Sequence, residues 1–353
     1  MLLGLIGYTQ RDRFLPGQND FVQLYAGARL SGSPQLYEPE ASKKVHVEVL
    51  GLWLESVYYS RPPFYAFLLR PLGKLPYPVA YWLFEALSFG ALATFLWIWA
   101  PRCRELLLFT SLCFAVLSNF LQGQDLAFVL LAAALAIECM RRKMDFVAGL
   151  LLSFCAVKIH LFVLVPVVLL VHKRWIVLSG GTLGGAVLLG ISFLSDGWDW
   201  PRRYLILLAN PELHPLPGNM PTLRGLLFAM SGQEMPWTLT AVSLIVSAAV
   251  IWIAWHSSVD FAMAMALVGG LLVGYHAYMQ DCMMLLLVFV LVLDRSRWAP
   301  LRGVTALTLT PPVLLCLTGG NPWNAVVPVF LLAVIGLGLA SVLRNEPQEP
   351  AYS

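Results

Sequence analysis

Charge is scarce in this chain. Of 353 residues only 12% are Asp, Glu, Lys or Arg, while 59% are hydrophobic; soluble domains carry roughly 25% charged residues. That shortage excludes an ordinary soluble globular domain. The charges come in short bursts between apolar runs, so the net value of +3 says less than the distribution. The six cysteines (Cys103, Cys113, Cys139, Cys155, Cys282, Cys316) lie in or beside apolar runs, none in a long polar loop. That placement argues against a disulfide framework or a metal cluster. No tandem repeat or low-complexity segment stands out. The apolar start, residues 1–8, lacks the basic region of a signal peptide and is too short to span a membrane. It reads as the end of a first membrane helix whose beginning is missing.

Long apolar runs are what the chain has in abundance. They cover 77–100, 106–121, 126–140, 176–194, 239–255, 261–273, 283–293, 304–317 and 326–343. A spanning helix needs about 20 mostly apolar residues, so the pattern predicts an all-α, polytopic transmembrane bundle of about nine to eleven spans. Residues 1–343 form one transmembrane domain in this reading, and 344–353, with their prolines and glutamates, form a disordered cytoplasmic tail. Residues 63–75 are too short to cross and read as an interfacial or partly inserted helix. Residues 146–171 read as two half-helices meeting near Lys158. Trp82, Trp97, Trp99, Trp175 and Trp298 near span ends form an interfacial belt.

Lys and Arg collect on the cytoplasmic side of short loops. Arg102/Arg104, Arg141/Arg142/Lys143, Lys173/Arg174, Arg295/Arg297/Arg302 and Arg344 fall on one side when the spans alternate. The opposite turns, 122–124, 274–280 and 319–321, contain no Lys or Arg. Two long loops, 9–62 and 196–235, share that outer side, facing the periplasm or cell exterior.

Polar side chains are costly inside a membrane profile, so each is a functional candidate, and they converge on the outer side. Asn19 and Asp20 open the first loop and Arg61 closes it. Gln124 and Asp125 occupy a turn between spans, and Lys158 and His160 the half-helix hairpin. Asn219 and Arg224 lie in the second loop; His276, Tyr278 and Asp281 lie at another outer turn. A carboxylate, cations and amides around one site suit a base that deprotonates a hydroxyl while a phosphate leaves. Each has a plainer reading. Asp20 could cap the helix beginning at Phe21. Lys158 could snorkel from a helix end, His160 and His276 could be packing histidines, and Arg61 and Arg224 could be solvated loop residues. Glu85, mid-span, reads as a hydrogen-bond partner of a neighbouring helix.

These residues also carry a resemblance. Asn19–Asp20–Phe21, then Tyr25–Ala26–Gly27–Ala28–Arg29–Leu30 with Gly32 and Leu36–Tyr37, resembles the opening of glycosyltransferase family 87. These are the polyprenyl-phosphate-mannose-dependent α-mannosyltransferases of the C-type membrane superfamily. Pro62–Pro63–Phe64, Pro71–Leu72, Leu75–Pro76, Gly123–Gln124, Ala148–Gly149–Leu150 and Lys158 follow in that family's order. So do His172–Lys173–Arg174–Trp175, Met220–Pro221–Thr222–Leu223–Arg224–Gly225–Leu226 and Tyr275–His276–Ala277–Tyr278 with Asp281. The resemblance implies Asp20 as general base, a lipid-linked sugar phosphate as donor and an inverting displacement on the outer face. It also implies Lys158, Arg224 and His276 beside the donor phosphate. Asn19, Arg61, Gln124, Asp125, His160, Tyr278 and Asp281 complete the expected substrate cavity. No metal and no cofactor are implied, and no Asp-x-Asp cluster is present to hold a metal. The expected partners are the polyprenyl-phosphate sugar, a glycolipid or glycan acceptor and the bilayer, with no nucleic acid.

Three features depart from the family pattern: the near-absent first span, Asp125 where an amide is usual, and Ile159–His160 after Lys158 where a proline is more usual. A transporter or flippase of a lipid-linked sugar would use the same cations but needs alternating access, and such proteins often carry inverted repeats; none is visible. A non-catalytic scaffold would have little reason to bury a lysine at membrane depth.

Overall fold

In the computed structural model, which describes residues 8–210, 213 and 217–344, every regular element is a helix. The apolar start and the tail expected to be disordered lie outside the described residues, apart from Tyr8 and Arg344. The helices used below are α1 (Phe21–Leu30), α2 (Pro39–Leu50), α3 (Pro63–Gly73), α4 (Tyr77–Trp99), α5 (Phe114–Leu121), α6 (Leu126–Arg141), α7 (Asp145–Phe154) and α8 (Val165–Val171). They continue with α9 (Trp175–Asp196), α10 (Trp200–Leu208), α11 (Leu223–Ser231), α12 (Pro236–His256), α13 (Val259–Val273), α14 (Leu285–Arg295) and α15 (Val326–Leu343). Proline stands in the first turn of α2, α3, α4, α8, α10 and α12. Its missing N–H costs nothing there and its fixed φ starts the helix. The two long loops expected on the outer side are themselves folded, since α1 and α2 lie in the first and α10 and α11 in the second.

Five helices are long and apolar enough to cross a membrane: Tyr77–Trp99, Asp145–Phe162, Trp175–Asp196, Pro236–His256 and Trp323–Leu343. A sixth forms if Ala299–Thr308 and Pro311–Thr318, bent by 54° at the break, count as one. The protein is therefore a multi-pass, all-helical membrane protein. Fewer helices meet that length than the nine to eleven spans read from the sequence, because α6, α13 and α14 are apolar but only 16, 15 and 11 residues long. In α13, thirteen residues from Asp260 to Leu272 are buried on all sides, and α14 is buried almost throughout. A helix apolar all round and enclosed by others satisfies its hydrophobicity against protein. The lipid face is instead supplied by exposed Leu83, Leu87 and Phe89 on α4, Leu183, Val187 and Leu194 on α9, and Leu244 and Ile245 on α12.

The hairpin at Lys158 follows from backbone packing. Helices α7 and α9 touch so closely that a Cβ on Gly149 would lie 2.0 Å from the Val177 carbonyl oxygen. One on Gly180 would lie 2.2 Å from that of Phe146. Ser153 meets Gly184 one turn further along, so α7 and α9 run parallel. The chain between them must therefore turn back, and α8 is the returning arm; Arg174 pairs with Asp145 at 3.3 Å where the arms reach the same end. The break is a short 3-10 segment, Cys155–Phe162, in which Lys158 leaves helical geometry (φ −128°, ψ 50°).

The two ends of the bundle carry different polar layers. At one end Arg102 and Arg142 meet Glu138 at 2.9 and 2.8 Å, and Arg141 meets Asp260 and Asp294 at 2.9 and 2.6 Å. Arg295 also pairs with Asp260. This is the basic end expected from the loop charges. Trp99, expected in the interfacial belt, is fully buried beneath it, with Arg141 and Arg102 stacked 4.8 and 5.2 Å from its ring. Glu85 is also not as expected: its Oε1 is buried with no hydrogen-bond partner among the described residues. Helix α6, sixteen residues long, rises about 24 Å from that end to Asp125. There the second polar layer begins.

Candidate active site

The site starts with a division of labour between Asn19 and Asp20. Asn19 Oδ1 accepts the Phe21 N–H at 3.1 Å, and its Nδ2 donates to Tyr81 Oη and the Leu121 carbonyl at 3.2 and 3.1 Å. Asn19 therefore anchors the start of α1. Asp20 makes no side-chain cap, which removes the plainer reading of that residue. Its carboxylate, half-buried, accepts from Gln124 Nε2 at 2.7 Å. Burial pushes its carboxyl above the usual carboxylate range; the Gln124 hydrogen bond and the Arg61 and Lys158 charges pull the other way.

Gln124 reaches Asp20 because Gly123 permits a tight turn between α5 and α6. Gly123 has φ +61°, and a Cβ there would lie 2.7 Å from Phe21 Cβ and 2.9 Å from Asn19 Oδ1. Asn119 Oδ1 closes the turn by accepting the Leu126 N–H at 3.1 Å. Asp125, fully buried, points behind Gln124 and receives Arg61 Nε at 3.0 Å. Burial alone would raise its carboxyl, but the Arg61 and Lys158 charges overcome this and hold it below the ordinary range.

Arg61 is placed by three phenols that sequence reasoning missed. Tyr204, Tyr37 and Tyr59 donate to the consecutive carbonyls of Ser60, Arg61 and Pro62 at 3.2, 2.9 and 2.9 Å. Tyr204 comes from the second long loop and Tyr37 from the first, so Arg61 is fixed by both. Tyr37 falls in the Leu36–Tyr37 part of the family resemblance, but nothing in the residue spacing marks Tyr59 or Tyr204 apart from the chain's other aromatics. The guanidinium then extends to Gln124 Oε1 at 3.3 Å and to Asp125.

Lys158 lies between two carboxylates, 3.2 Å from Asp281 Oδ1 and 3.9 Å from Asp125 Oδ1. Asp281 in turn accepts the Tyr278 N–H at 2.7 Å, which binds the turn at 274–281 to the hairpin. Burial pushes the Tyr278 phenol up to about 12, so it remains a donor at neutral pH. His160 packs on that turn, its Cδ2 3.6 Å from where a Gly274 Cβ would stand, and its Nε2 has no hydrogen-bond partner among the described residues. The His276 ring lies 5.8 Å from both Tyr275 and Tyr278. Arg224, at the start of α11 with Thr222 capping the helix through the Gly225 N–H at 3.1 Å, stacks 4.0 Å over the Tyr275 ring and pairs with Glu234. Its Nε and Nη1 are buried without hydrogen-bond partners among the described residues. Tyr275 and Glu234 were also not expected at the site.

The residues expected from sequence thus meet at the end opposite the basic layer. Asp20, Gln124, Arg61, Asp125, Lys158 and Asp281 form one connected polar network. Tyr278, His276 and Arg224 adjoin it through the 274–281 turn, and Asn19 supports it from below. A multi-pass, all-helical membrane protein thus gathers at one end a half-buried carboxylate, Asp20, and one guanidinium, that of Arg224, with two nitrogens unpartnered among the described residues. The family model of glycosyltransferase family 87 matches residues 59–279, and the chain belongs to that family. Neither the curated proteins nor the solved structures contain a match.

Proposed function

We propose that this glycosyltransferase moves a hexose, mannose by family resemblance, from a polyprenyl-phosphate sugar to a hydroxyl of a glycolipid or glycan acceptor. Asp20 is the general base. The observation that carries this reading is the Asp20 carboxylate itself, released from helix capping by Asn19 and aimed by Gln124. In the reaction the acceptor oxygen attacks the anomeric carbon as Asp20 takes its proton. The bond from that carbon to the phosphate oxygen breaks, and polyprenyl phosphate leaves carrying the negative charge. The displacement inverts the anomeric centre. The donor's phosphoester is already activated, so positioning and charge stabilisation supply the rate.

Arg224 suits the leaving phosphate best, because two of its nitrogens are buried and unpartnered among the described residues. His276 and Tyr278 stand beside it as further donors. Lys158 has its ammonium occupied by Asp281 and Asp125, so it holds the hairpin and the 274–281 turn together and adds positive potential at longer range. The donor is the lipid-linked sugar itself, and no cofactor enters the chemistry. The basic end faces the cytoplasm of the cell membrane under the positive-inside rule, which puts the site on the outer face. The test is sugar transfer from radiolabelled polyprenyl-phosphate-mannose by membranes containing the chain. Labelled product supports the reading; intact donor appearing on the far side without bond cleavage would replace it with lipid-linked sugar transport.

A further inference from the structure

Gln124 stands between Arg61 and Asp20 with both ends of its amide engaged. Oε1 accepts from Arg61 Nη2 at 3.3 Å and Nε2 donates to Asp20 Oδ2 at 2.7 Å. A guanidinium only donates, so Arg61 decides which end of the amide is oxygen and which end meets Asp20. Arg61 is itself immobilised by Asp125 and by the phenols that hold its backbone. The Gln124 N–H is the only hydrogen bond reaching the Asp20 side chain among the described residues.

We propose that Gln124 is a positioning residue for the base: anchored by Arg61, it holds Asp20 Oδ2 and leaves Oδ1 for the acceptor hydroxyl. This rests on the reading of Asp20 as the base. The charged groups that act on Asp20 are Arg61 and Lys158, which favour the carboxylate, and Asp125, which disfavours it. The phenol of Tyr278 lies nearby in its neutral form. Replacing the amide by a carboxylate leaves the Arg61 contact and the volume in place but sets a second acid against Asp20. Like charge disfavours ionisation, so Asp20 would lose its proton only at higher pH, and where the two acids share a proton the pair titrates as a unit.

The experiment compares Gln124→Glu, Gln124→Met and Asp20→Asn with the wild type in membranes, using polyprenyl-phosphate-mannose across pH. For Gln124→Glu the acid limb of kcat/KM moves toward neutral by about one pH unit or more. For Gln124→Met, kcat falls about 10- to 100-fold, the range expected when a reacting group is misplaced, while the donor KM changes less than about twofold. A residue that only fills space would move neither the limb nor this split. An unmoved limb in Gln124→Glu, with Asp20→Asn inactive, overturns the positioning role alone. Full activity in Asp20→Asn overturns the base reading beneath it. Where Gln124→Glu turns over too slowly to profile, the KM and kcat split in Gln124→Met decides, and a change confined to KM overturns the proposal.

Discussion

Replacing Lys158 by Met removes the ammonium and keeps most of the side-chain volume. Its ammonium lies 3.2 Å from Asp281 and 3.9 Å from Asp125, with all three side chains at least nine-tenths buried. At an effective dielectric of about 20 each contact contributes roughly 4–5 kcal/mol of attraction. Desolvation of the ammonium offsets several kcal/mol of that sum. Removing one partner of such a pair costs about 3–5 kcal/mol, because a buried carboxylate is left behind. Asp125 keeps Arg61, so the cost falls on Asp281, which among the described residues retains only the Tyr278 N–H. Adding Asp281→Asn removes the orphaned charge, and the asparagine oxygen can still accept that N–H. The double variant is therefore more stable than Lys158→Met alone, with a coupling energy of about 2 kcal/mol or more. Equilibrium unfolding in mixed detergent micelles, followed by tryptophan fluorescence, measures all corners of the cycle. Costs that add within about 0.5 kcal/mol would refute the pairing.

Four further substitutions, at Gly123, Gly185 and Arg224, test separate parts of the account. Gly123→Ala puts a Cβ 2.7 Å from Phe21 Cβ at a left-handed φ; it should cost about 1–3 kcal/mol and lower activity with it. Gly185→Ala in α9, where nothing lies within 4 Å, should be neutral or slightly stabilising in the same unfolding assay. Arg224→Gln should raise the donor KM about 10- to 100-fold, the equivalent of one or two charge-assisted hydrogen bonds. Arg224→Lys should not restore it, because an ammonium lacks the planar fork that stacks on Tyr275; titration of initial rates against donor checks both.

The composition of the chain made the site legible. In a sequence with so few charges, each polar residue beside an apolar run is conspicuous, and the structure joins most of them into one network. Their pairings were not legible. Lys158 reads from sequence as an open phosphate ligand, yet Asp281, distant by 123 residues, occupies it. The choice between capping and catalysis at Asp20 turned on its neighbour Asn19, which two adjacent cap-forming residues leave undecided until the backbone is known. The tyrosines around Arg61 were hidden because aromatic residues are common throughout the chain. The lengths of the apolar helices were not legible either, because hydropathy along the chain does not show that a run such as α13 folds as a helix of only 15 residues.

The central claim is that the Asp20 carboxylate accepts the acceptor's proton. Its most direct test is sugar transfer by Asp20→Asn beside the wild type, with donor binding measured on the same membranes. Asparagine keeps the shape and can still accept from Gln124, so the account predicts normal donor binding and a loss of transfer of about 100-fold or more. Transfer at the wild-type rate would contradict it.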